Sequence, residues 1–296
     1  MTDSQRPGYL YVLLATLLWS ANFVIAKDLS HSVPPVTLAF MRWLIALLAL
    51  TPFAVRTFLD SRSLVRQHLW YLTQAAFFGV TVFNTLIYIA GRSTSAVNMS
   101  LISISSPIFM ILFSVLFRNE IISIRKLMGT LVILIGVLLL LTKGNPEVLT
   151  TLTFTRGDLW MLLAAISFAT YSMFVQSRPP AISTTVFLFS TFLLGVIMLV
   201  PFFVWETLAF QVDWITWKSM GAVVYLGIFA SLVSFMLWNK AVALIGMSNA
   251  GLVYYLLPVF SGLLAFIFLG ENIGVFQVLS MGLIVSGLLI TSRGKR

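Results

Sequence analysis

Four stretches of this chain, 179–205, 219–239, 241–270 and 272–292, contain no charged residue. Each can hold the run of about 20 apolar residues that a helix needs to cross a bilayer. The whole sequence agrees, with 59% hydrophobic and only 9% charged residues, where a soluble domain carries about 25% charged. The chain therefore reads as an all-α, polytopic membrane protein without a soluble domain of any size.

Charge and residue inventory exclude several function classes. The formal charge of +9 is spread over short loops and forms no basic stripe with interleaved aromatics, so no nucleic-acid partner is expected. With no cysteine in the sequence, disulfides, thiolate nucleophiles and zinc–thiolate sites are excluded. His31 and His68 fall in predicted loops. No metal or cofactor is indicated, and a bilayer enzyme would be left with serines and one arginine for its chemistry.

The chain is written twice. Ala90, Asn98, Pro107, Phe109, Phe117 and Glu120 recur 151 positions later as Ala241, Asn249, Pro258, Phe260, Phe268 and Glu271. Earlier in the chain the offset is 149, with Gly8, Leu10 and Leu13 opposite Gly157, Leu159 and Leu162, and Pro52 opposite Pro201. A run such as 8–26 resembles a secretory signal, but its copy in the second half marks it as a first helix that is retained.

Hydropathy predicts ten transmembrane spans at about 8–26, 36–55, 69–90, 95–117, 122–142, 158–177, 183–204, 219–239, 247–269 and 272–292. They group into two five-helix repeats, 8–142 and 157–292. Five is odd, so the second repeat enters from the opposite side and the two are inverted. Ten spans put both termini on one side. With that side cytoplasmic, inner loops and tails hold twelve basic residues and outer loops five, the bias of the positive-inside rule.

Pro107 and Pro258 interrupt apolar runs at matching places. Each proline removes an amide donor and crowds the carbonyl four residues back, here those of Ser103 and Tyr254. Paired broken helices point to a transport site at mid-membrane, although a proline can also serve only to kink a helix for packing.

Arg42 is the one ionisable residue well clear of a span end. Its guanidinium suits a bidentate clamp on a carboxylate or phosphate; alternatively it snorkels outward or caps carbonyls of a broken neighbouring helix. Asp28, Asp158, Glu120 and Glu271 fall at span ends, where structural roles are expected and coupling to protons is disfavoured. The remaining substrate-binding candidates are neutral: Trp19, Asn22, Asn84, Tyr88, Asn98, Ser103, Tyr171, Ser231, Tyr254 and Tyr255. Trp238 and Asn239 are placed at the interfacial belt. Gly129 with Gly136, and Gly282 with Ser286, mark helices five and ten for close packing; monomer and homodimer both remain open.

The segments LLWSANF at Leu17–Phe23, LAFMRW at Leu38–Trp43, AGRSTSAVNMSLISISSPIF at Ala90–Phe109 and YYLLPVFSGLLAFIFLGE at Tyr254–Glu271 resemble the ten-helix branch of the drug/metabolite transporter superfamily, with two EamA-type repeats. The resemblance covers almost the whole chain. It implies a transporter of the bacterial cell inner membrane, with a central cavity lined by both halves and helices five and ten at the periphery. Members export amino acids, other metabolites or drug-like compounds, and related branches carry sugars or nucleotide-linked molecules. At Arg118–Asn119 the first copy departs from the family's usual pattern, which the second copy keeps at Leu269–Gly270. The expected function is export of a small organic metabolite, amino acids or their derivatives first, by alternating access. A multidrug or nucleotide/sugar-metabolite transporter of the same fold and a non-transporting receptor or scaffold are the alternatives.

Overall fold

The computed structural model describes residues 5–29, 32–94, 96–145, 147–150, 153–210, 215–269 and 274–292. Glu271, His31 and the basic tail at Arg293, Lys295 and Arg296 lie outside them. The described chain is a bundle of helices joined by short turns. These are α1 (Arg6–Leu29), α2 (Pro35–Asp60), α3 (Leu69–Ser93), α4 (Ala96–Ser103 and Ser105–Arg118) and α5 (Ile124–Thr142). The second half holds α6 (Arg156–Gln176), α7 (Thr184–Ala209), α8 (Trp217–Tyr225, Leu226–Val233 and Ser234–Ile245), α9 (Met247–Tyr254 and Leu257–Leu269) and α10 (Val275–Ser292). Among the described residues, seven helices are long and apolar enough to cross a membrane, and Ser105–Arg118 and Val275–Thr291 are shorter apolar helices. Large apolar side chains such as Phe53, Leu116, Ile135 and Leu289 face outward, as lipid requires.

Several helices run further than hydropathy predicts, α2, α7 and α8 among them. Helix α2 reaches Asp60, and α7 continues to Ala209 through a stretch expected to be a connection. The extension brings Glu206 into the bundle. Helix α2 starts at a Pro-Pro pair with no side-chain cap of its own, which leaves its first amides without partners. Glu206 supplies the cap from α7. Its carboxylate accepts from Val36 N at 3.2 Å, Thr37 N at 2.6 Å and Thr37 Oγ1 at 2.9 Å, and its charge suits the positive end of the α2 dipole. Phe40 stacks on Phe203 beside it at 4.2 Å.

Helices α5 and α10 pair through backbone contact. A Cβ on Gly129 would lie 2.7 Å from the Gly287 carbonyl oxygen, and a Cβ on Gly287 would lie 2.7 Å from that of Gly129. The seam therefore uses Gly287. Gly282, expected from spacing to pack, faces open space, because its step points to another side of α10. Gly129→Leu is expected to pry the helices apart and cost about 1–3 kcal/mol, read as a lower unfolding temperature in detergent. Gly282→Leu should leave that temperature unchanged.

Candidate functional site

The two broken helices meet inside the bundle. In α4 the break falls at Ile104 and in α9 at Tyr255 and Leu256, directly after the Ser103 and Tyr254 carbonyls that Pro107 and Pro258 crowd. The chain tightens there, Leu256 N donating to Val253 O at 2.9 Å. Helix α9 reaches α4 through Gly251, where an added Cβ would lie 3.3 Å from Pro107 Cα and 3.0 Å from Met110 Sδ.

A second pair of irregularities does not show in hydropathy. Helix α3 widens to π geometry over Phe77–Val82 and α8 over Leu226–Val233. The first stretch has six residues and the second eight. The repeat offset changes from 149 to 151 across this part of the two halves, between Pro52/Pro201 and Ala90/Ala241. Such π turns release carbonyls from the regular ladder. Ser167 of α6 donates to Phe78 O at 2.8 Å, and Trp19 of α1 donates through Nε1 to Ala230 O at 2.8 Å.

Arg42 lies against the α8 π stretch and is 0% exposed. Its Nε donates to Ser231 Oγ at 2.7 Å and its Nη2 to Ala230 O at 3.2 Å. Its Nη1 faces Tyr88 OH at 2.6 Å, Asn84 Oδ1 at 2.7 Å and Asn22 Oδ1 at 3.3 Å. The guanidinium also sits 5.3 Å from the Trp43 ring centre and 5.9 Å from that of Tyr88. Thus α1, α2, α3 and α8 converge on one cation whose hydrogen-bond partners, among the described residues, are all neutral. Burial of a charge without a counter-ion is costly, and an intramembrane ionisable group marks a functional site by default. The Asn84 amide nitrogen beside it has no hydrogen-bond partner among the described residues.

An aromatic box adjoins this cluster. Trp19 meets Phe168 at 5.4 Å, Phe235 at 5.6 Å, Trp238 at 5.4 Å and Tyr254 at 5.9 Å between ring centres. Trp238 is therefore no interfacial belt residue. It is 0% exposed and donates through Nε1 to Ser172 Oγ at 3.1 Å. Asn239, also expected at the belt, is equally buried, accepts from Tyr171 OH at 2.9 Å and has an amide nitrogen with no partner among the described residues. The misplacement has a simple cause: α8 continues to Ile245, which moves both residues more than a turn inward. Tyr255, at the α9 break, is 2% exposed, and its hydroxyl has no partner among the described residues.

Asn98 stands apart from Arg42. Its Nδ2 donates to Asp158 Oδ2 at 3.1 Å and to Thr153 O at 3.3 Å. Asp158 also accepts from Thr94 Oγ1 and from Thr155 N at 2.6 Å, closing a capping box on α6. This network ties the end of α3 and the start of α4 to the start of α6. Ser103, 6% exposed, ends the first piece of α4 at its break. At the opposite end Glu120 binds Lys126 at 2.7 Å. Asp158→Asn is expected to loosen its end of the bundle by about 1 kcal/mol. In this cysteine-free sequence the check is maleimide labelling of a single cysteine at Ala90, buried near the end of α3, which should quicken; an unchanged rate would deny Asp158 a part in holding these helix ends together.

Comparison with known proteins agrees with this architecture. A family model described as EamA-like transporter family matches residues 6–142 and again 155–293. An uncharacterized transporter of Bacillus subtilis, YyaM, is 26% identical over 96% of this chain and 93% of its own length. An uncharacterized transporter of Archaeoglobus fulgidus is also 26% identical, over 96% of both chains. A crystal structure 21% identical in sequence superposes with a TM-score of 0.77, covering 97% of this chain and 96% of its own, which establishes the shared fold. With its model matched twice over nearly the full sequence, the chain belongs to the EamA-like transporter family.

Proposed function

We propose that the protein is a secondary transporter that exports small organic metabolites bearing a carboxylate, amino acids or their derivatives first, by alternating access. In this reading the chain makes ten transmembrane spans as two inverted five-helix repeats in the cell inner membrane, with both termini cytoplasmic. The observation that carries it is Arg42, a fully buried cation whose partners among the described residues are all neutral, beside an aromatic box. At an effective dielectric of about 20, a carboxylate about 4 Å away gains roughly 4 kcal/mol before its own desolvation. A neutral hydrogen bond that it displaces contributes only about 1 kcal/mol net. An acidic group can therefore outcompete Tyr88 or Asn22 for the guanidinium, while the rings of Trp19 and Tyr254 take the apolar part of the same molecule.

A second reading has its own observation. Arg42 Nη2 donates to Ala230 O in the π stretch, so the residue also pins α8. The test is exchange from proteoliposomes loaded with mixed amino acids, nucleosides and sugars, with and without a proton gradient. Release of a narrow carboxylate-bearing set supports the proposal. Release confined to uncharged sugars or nucleosides would sink it and leave Arg42 with the pinning role. A requirement for the gradient would assign coupling to Asp158, Glu120 or Glu271.

A further inference from the structure

We propose that the end of the bundle beside the α4–α5 turn holds an anionic phospholipid, phosphate inward and one acyl chain along α1, α9 and α10. The inference rests on the membrane location alone and is independent of the substrate bound near Arg42. A cavity of about 460 Å3 opens at this end, lined among others by Arg118, Glu120, Lys126, Gln176, Asn249 and Thr291. Its charges do not cancel. Lys126, 7% exposed, is paired with Glu120 at 2.7 Å, whereas Arg118 has no hydrogen bond or ion pair among the described residues. One cation is left over where a phosphodiester would bring one negative charge.

An apolar cleft of about 210 Å3 adjoins the cavity and shares Asn249 and Thr291 with it. Its walls include Tyr9 and Leu13 of α1, Leu252 and Leu256 of α9, and Leu288 and Leu289 of α10. Leu289 is 53% exposed, so the cleft opens on the outer, lipid-facing surface. A metabolite small enough for the polar cavity has no use for that apolar extension. A phospholipid uses both, since its head needs cation and amide donors at the depth where its chain needs an apolar wall, and basic pockets between membrane helices recruit anionic head groups. Gln176 is already committed through Oε1 to Met247 N at 2.8 Å, and its amide nitrogen completes the polar rim.

Native mass spectrometry of the full chain in detergent, with phosphatidylglycerol and phosphatidylcholine added in equal amounts, tests the site. Phosphatidylglycerol should be retained preferentially, and Arg118→Gln should lower that retention about fivefold, the effect of one basic residue near a membrane surface. Leu289→Trp, at the exposed mouth of the cleft, should lower it as well. Both positions are exposed, so neither variant threatens folding as Lys126→Gln would by leaving Glu120 unpaired. Equal retention of the two lipids, or indifference to Arg118→Gln, overturns the proposal. So does displacement by glycerol 3-phosphate with no effect of Leu289→Trp, which would make the ligand a free phosphate ester.

Discussion

Arg42→Ala is expected to abolish transport of anionic and zwitterionic substrates while purely cationic ones are spared. The lost attraction of roughly 4 kcal/mol, less the carboxylate's desolvation, should lower their transport about a hundredfold or more. The fold should survive. Removing the guanidinium leaves acceptors on Asn84, Tyr88 and Ser231 without their donor, at about 1–3 kcal/mol each when nothing rotates to replace it. The same substitution removes a buried cation that had no counter-ion, which offsets part of that loss. Arg42→Lys keeps the charge but cannot span partners on α1, α3 and α8, because an ammonium is a point donor and a guanidinium a rigid fork. Partial rescue of anion transport by lysine would show that charge dominates. Equal loss for all substrates in Arg42→Ala, with a raised tendency of α8 to unfold, would show that the contact with Ala230 O dominates instead.

Trp19→Ala should be the most damaging single truncation in the aromatic box. The indole touches four other rings and closes the α8 π stretch through its bond to Ala230 O. Loss of its contacts costs about 3–5 kcal/mol, read as a fall in unfolding temperature in detergent with transport lost in parallel. Trp19→Phe separates the two contributions, since it keeps ring packing and gives up only the hydrogen bond, about 1 kcal/mol. If Trp19→Phe is as damaging as Trp19→Ala, the bond to α8 is what the residue is for; if it is nearly neutral, the box is held by packing.

Much of this architecture was legible in the order of the residues. Charge-free runs located most helices within a few residues, because a span needs a minimum apolar length. The doubled prolines located both breaks, since a proline's effect on the carbonyl four residues back is local chemistry. Arg42 stood out for the same reason, as a lone charge within an apolar run. Glu206 did not stand out. It lies between two predicted spans, in a stretch that reads as a connection, and its use as the cap of α2 depends on two helices 170 positions apart lying side by side. The only sequence signal was the Pro-Pro start of α2, which advertises amides in need of a cap.

Periodicity and spacing thus determined what each segment is: a helix, a break, a close-packing seam or a charge to be accounted for. Tertiary structure alone decided which segments share a partner. It moved Trp238 and Asn239 from the rim to the box, separated Asn98 from Arg42, and chose Gly287 over Gly282 to meet Gly129. The physical reason is that hydropathy and proline act within a turn or two of their own chain, whereas the partners of a buried polar group are set by the rotation and register of neighbouring helices. In α8 the π stretch presents the Ala230 carbonyl to both Trp19 and Arg42.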